Sequence, residues 1–134
     1  MVQVLVRSAI SDLHRLAYAR LGGPEPARDR LRAFLAGFED YLERSGGTCL
    51  LGVLAMGTAR EVWGARISAQ VDDWRDSLAR VYEEAGAKPK RAARAAGELL
   101  NAIYGAQVVA RLLGDPQHLR RTFKRLGREL DRAS

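Results

Sequence analysis

Residues Pro89 to Leu113 read PKRAARAAGELLNAIYGAQVVARLL, and the fold turns on how that stretch is covered. It is filled with Ala, Leu and Arg, which favour helix. Pro89 suits a first helical turn, and a helix of this length is about 37 Å long. At 100° per residue, Ala92, Ala96, Leu99, Ile103, Ala106 and Ala110 fall on one side. Gly97, Leu100, Tyr104, Val108 and Leu112 fall roughly opposite. A helix with two apolar faces is not a surface helix. It must lie between its own core and something else.

The neighbouring segments read as helices too. The first runs from about Val2 to Leu21, with Val6, Ile10, Leu13 and Ala17 on one face, and Gly22-Gly23-Pro24 stops it. A second starts near Pro26 and carries the stripe Leu31, Phe34, Leu35, Phe38, Tyr41, Leu42. Thr48 to Met56 is apolar on every side, which predicts a short buried helix. A fourth, about Arg60 to Ala85, aligns Ile67, Val71, Trp74, Leu78 and Val81. The stretch quoted above is the fifth. Asp115-Pro116 opens the sixth as a cap and a first-turn proline. Its single stripe is Leu119, Phe123, Leu126 and Leu130, and Arg120, Arg121, Lys124, Arg125 and Arg128 cover the rest.

The expected architecture is therefore all-α: one domain over residues 1–134, a six-helix orthogonal bundle. The chain runs out before it covers the second face of the fifth helix. A symmetric homodimer would cover it, the last two helices of each copy forming a four-helix interface. The expected seam is Ala96, Leu99, Ile103, Ala106 and Ala110 with Leu119, Phe123, Leu126 and Leu130. The alternative is that the first helix covers that face within one chain.

Composition narrows the function. The 134 residues are 47% hydrophobic and 28% charged, enough for a core without a staple. One cysteine excludes an intrachain disulfide. The longest uncharged stretch is too short to span a membrane, and the N-terminus has the wrong charge order for a secretory signal, so a cytoplasmic protein is expected. The net charge of +6 is uneven. Residues 1–87 carry −1 and residues 88–134 carry +7. A basic half can mean nucleic acid or an acidic partner, or simply an Arg-rich composition.

Catalytic signals are sparse. His14 and His118 are the only histidines, and no metal-binding spacing surrounds them. Cys49 sits among apolar residues and reads as a small hydrophobe. Asp72, Asp73 and Asp76 match a D-D-x-x-D magnesium pattern, but no second acidic cluster accompanies them. A charged helix face beside Trp74 is the simpler reading. The Gly47–Gly52 spacing lacks the Lys-Ser/Thr of a phosphate loop. No catalytic residue, metal or cofactor is expected.

What remains is an apolar pocket. Phe38, Tyr41, Cys49, Met56, Trp63 and Trp74 fall in one half of the domain, and the fifth helix adds Asn101, Tyr104 and Gln107. Apolar walls with a few polar groups suit a small molecule. The same residues also suit plain core packing. Asn101 and Gln107 need hydrogen-bond partners if buried.

Gly46-Gly-Thr-Cys-Leu-Leu-Gly-Val-Leu-Ala55 resembles a Gly-rich, Cys-Leu-Leu segment of tetracycline-repressor-type (TetR-family) regulators. The order of elements resembles them as well, including the Leu31-Arg-Ala-Phe-Leu35 helix and Asp115-Pro-Gln-His-Leu-Arg-Arg121 opening the last. The resemblance implies an all-α domain that binds a small apolar effector and dimerises through its last two helices. It implies that the aromatic and Met residues above line the effector site. It also implies a helix-turn-helix headpiece, which this sequence does not show before its first helix, so no sequence-specific DNA binding is expected of the chain alone. In an intact regulator of this type, effector binding shifts the population between two headpiece spacings. Two other readings stand beside it: a nucleic-acid or acidic-partner binder using the basic last helix, and a magnesium enzyme using the aspartates.

Overall fold

A computed structural model describes residues 2–47 and 60–132, except for the side chains of 2–6 and 60–64. Five α-helices make up the described residues, with no strand among them: α1 Val2–Leu16, α2 Ala27–Arg44, α3 Arg60–Glu84, α4 Pro89–Leu113 and α5 Gln117–Arg132. The short helix expected over Thr48–Met56 lies outside the described residues.

The first helix ends earlier than its composition suggests. After Leu16 the chain tightens into a 3-10 turn over Tyr18–Gly22. The reason is burial: Leu16, Ala17, Tyr18 and Leu21 all turn inward, and a regular helix cannot aim so wide an arc at one neighbour. The half-buried Arg30 guanidinium fixes the turn. It donates to Leu21 O and Glu25 O at 2.8 Å each and pairs with Glu84 at 3.0 Å. The same end of α1 presses on α2 at Gly37. A Cβ there would stand 1.7 Å from Leu16 O, so only glycine permits the crossing.

The other ends follow their sequence signals. Gly46 and Gly47, with positive φ, close α2, and Gly47 N donates to Leu42 O at 2.6 Å. Gly114 ends α4 in the left-handed conformation (φ 62°). Asp115 then caps α5, its Oδ1 accepting the Gln117 N–H at 3.0 Å.

Packing answers how α4 is covered. α3 and α5 flank it, and α2 crosses α1, α3 and α5. The stripes of α2 and α3 are buried as expected, Val71 only partly. The seam expected between two copies needs correction. Ala96, Leu99, Ile103, Ala106, Ala110, Leu119, Phe123, Leu126 and Leu130 are all buried within one chain. Two flanking helices cover a wider arc of α4 than one partner would, so Leu100, assigned to the opposite face, is buried too. The arc left open is narrower and lies toward the C-terminal end of α4. Val108 and Val109 are about two-fifths exposed (39% and 38%), Leu113 is 68% exposed and Leu112 80%. Asn101 and Gly105 lie exposed on the same side.

Candidate functional site

The centre of the bundle is an aromatic cluster around Phe38, which is fully buried. Phe38 meets Tyr41 at 6.3 Å and Tyr104 at 5.9 Å, both edge-on, and Phe123 at 6.4 Å in a tilted arrangement. Phe34 lies edge-on to it at 5.8 Å. Tyr18 extends the cluster, 6.2 Å from Phe38 and 4.9 Å from Phe34. Trp74 stacks on Tyr18 with centroids 4.2 Å apart and planes 7° from parallel. Pairs of this kind add about 0.5–1.5 kcal/mol each beyond area burial, so the rings hold one another as a unit.

The expected pocket residues divide on this geometry. Phe38, Tyr41 and Tyr104 meet directly, and Trp74 joins them through Tyr18. Gln107 is buried on the inner face of α4. Asn101 does not join, because it points to solvent on the outer arc. Cys49 and Met56 lie outside the described residues. Trp63 falls within α3, with its side chain outside them.

Three cluster members escaped assignment to the pocket. Phe34 reads only as core, Phe123 reads as seam, and Tyr18 lies off the stripe of a regular first helix. The 3-10 turn brings Tyr18 in, and its only local signal is the glycine pair four residues on.

Trp74 is the polar feature of the cluster. It is 3% exposed, and its indole Nε1–H meets no acceptor among the described residues. A buried donor without an acceptor costs about 1–3 kcal/mol. Tyr18 also lines a cleft of about 990 Å³, which runs beside the turn after α1 toward the last turns of α3. Tyr18 thus belongs both to the wall of that cleft and to the aromatic cluster. A second groove, about 400 Å³, lies between the end of α2 and the start of α5. Leu42, Leu119 and Phe123 line it together with Glu39, Glu43 and Arg120. Burial, then the charge of Glu43, pushes the Glu39 carboxyl above its ordinary range, and Arg120 opposes this.

Residues 27–126 match the family model of the tetracyclin repressor-like C-terminal domain. The chain belongs to that family. No curated protein and no solved structure matches it. In this TetR-like domain the cluster lies inside the matched span except for Tyr18.

Among the described residues the remaining sequence features do not assemble into a site. Asp72 is paired with Arg75 one turn on. No group of three or more His, Cys, Asp or Glu among the described residues is placed to hold a metal. No helix among them is long and apolar enough to cross a membrane.

Proposed function

We propose that this chain is the effector-binding and dimerisation domain of a TetR-like transcriptional regulator, and that it senses a small apolar molecule in the aromatic core. The observation that carries the reading is Trp74, a buried donor without a described acceptor, set among rings in a domain of this family. A small, mostly apolar molecule with one acceptor satisfies that donor while replacing ring contacts. In this reading Tyr18, which lines the 990 Å³ cleft and stacks on Trp74, is the gate.

The homodimer of this reading uses the outer arc of α4, Asn101, Gly105, Val108 and Leu112, because the inner arc is occupied. Gly105 has open space where a Cβ would be, which suits a close helix crossing.

Native mass spectrometry of the purified, never-refolded chain tests this. The expected species is a dimer carrying a small molecule, with the passenger lost in Trp74→Phe. A bare monomer would contradict the reading, and so would a passenger kept equally well by Trp74→Phe and Phe38→Leu.

A further inference from the structure

Two ion pairs among the described residues join distant parts of the chain, Arg32 with Asp131 and Arg30 with Glu84. They differ in burial. The Arg32 side chain is 46% exposed and the Arg30 side chain 12%. A guanidinium that gives up water needs acceptors in return. Arg30 has them: one terminal nitrogen donates to Leu21 O and to Glu84, and Nε donates to Glu25 O. It therefore ties together the end of the 3-10 turn, the entry to α2 and the last residue of α3.

The turn and α3 also meet at a second place. Tyr18 opens the turn, Trp74 lies on α3, and their rings stack. Along α3, Trp74 and Glu84 are about 15 Å apart. The 990 Å³ cleft lies between the two elements, with Tyr18, Leu21 and Arg30 on one side and Val81 and Glu84 on the other. The turn has little of its own to fix it. A 3-10 helix has poorer hydrogen-bond geometry than an α-helix, and Ala17 supplies no side-chain cap at its start. Gly22-Gly23 adds no side chain to brace its end.

We propose that Arg30 is the positioning residue of the aromatic core: its bonds to Leu21 O, Glu25 O and Glu84 hold the turn so that Tyr18 covers Trp74, and their release opens the core to the cleft. The proposal rests on the reading of that core as the effector site with Tyr18 as its gate. The carbonyl bonds carry most of the effect. Both are charge-assisted and 2.8 Å long. Glu84 is 57% exposed, and an ion pair with so exposed a partner contributes little. Lysine would keep the charge but lose the planar fork that reaches both carbonyls at once. The order of effect is therefore Arg30→Gln first, Arg30→Lys close behind, and Glu84→Gln far weaker.

The test is acrylamide quenching of Trp74 fluorescence in the full chain, with Trp63→Phe so that Trp74 is the only tryptophan. Acrylamide is small and neutral, so it reports access to the indole. Arg30→Gln should raise the quenching constant by about threefold or more, Arg30→Lys nearly as much, and Glu84→Gln hardly at all. All three should keep wild-type helicity. Leu119→Ala, at the opposite end of α2 beside Gly47, controls for general loosening and should leave quenching unchanged. A residue that acts through another is not additive with it. Once Tyr18→Ala has uncovered Trp74, adding Arg30→Gln should raise quenching no further. The proposal is overturned if Arg30→Gln quenches like the wild type, if Leu119→Ala raises quenching as much, or if the Arg30→Gln effect adds in full to that of Tyr18→Ala. Quenching needs no effector, so the two readings fail separately. A chain without a passenger in native mass spectrometry contradicts the effector reading alone, and a passenger without the quenching order overturns the role of Arg30 alone.

Discussion

The last two helices are alike on the inside and opposite on the outside. α4 and α5 both bury a stripe against the same aromatic core, with Ile103 on one and Phe123 on the other. Outward, α4 shows valines, leucines and glycine near its C-terminal end, while α5 shows arginine and lysine with little compensation. Hydrophobic burial alone explains the inner faces. It explains neither outer face, since the exposed leucines bury nothing in a monomer and stacked like charges destabilise a helix. The difference teaches that two adjacent helices can share one core and still present outer surfaces of opposite character, one apolar and one charged.

The largest effects should come from the inner faces, where the helices behave alike. Phe123→Ala should cost about 3–5 kcal/mol and Ile103→Ala about 2–5, both read by urea unfolding. If either proved nearly neutral, the shared core would be misassigned. Next come the outer faces, where the helices should part. Leu112→Glu should weaken self-association by about thirtyfold or more, as for a hot-spot residue, while leaving thermal stability of the monomer almost unchanged. The double variant Lys124→Glu, Arg128→Glu should leave self-association intact. Equal effects of the two variants on oligomeric state would erase the distinction.

Two smaller effects concern the start of α5 and its neighbour. The hydrogen bond from Arg121, and then its charge, hold the Asp115 carboxyl below its ordinary 3.8. A lowered folded pKa means that the cap stabilises above 3.8 and loses its contribution as pH falls through the folded value. Asp115→Asn should therefore lower the thermal midpoint at neutral pH, and the difference should vanish in acid. Glu39 runs the other way. Its raised folded pKa makes the ionised carboxyl unfavourable above that value, and the penalty is relieved as pH falls toward 4.5. Glu39→Gln should stabilise at pH 7 by about 0.5 kcal/mol or less and show no gain below pH 4.5.

Periodicity made most of the fold legible. The stripes of α2, α3 and α5 are buried as read, save that Val71 is only partly so, and Gly114-Asp115-Pro116 marks a real helix boundary. What it could not settle was which neighbour covers each face. On α4 both arcs look apolar because alanine and glycine carry no label of inside or outside. The core-facing arc was therefore mistaken for the seam, and Leu100 for its opposite. The aromatic cluster was legible in its chemistry but not in its membership. Phe38, Tyr41, Tyr104 and Trp74 were named from composition, whereas Tyr18 enters only because α1 breaks into a 3-10 turn. The same ambiguity covers Asn101, which is exposed while Gln107 on the same helix is buried.

The account rests most directly on the outer arc of α4 being the surface where two copies meet. Sedimentation velocity of the wild-type chain beside Leu112→Glu tests it, with helicity of both checked by circular dichroism. The expected result is a wild-type dimer and a folded, monomeric variant. A wild-type monomer, or a variant that remains a dimer, would contradict it.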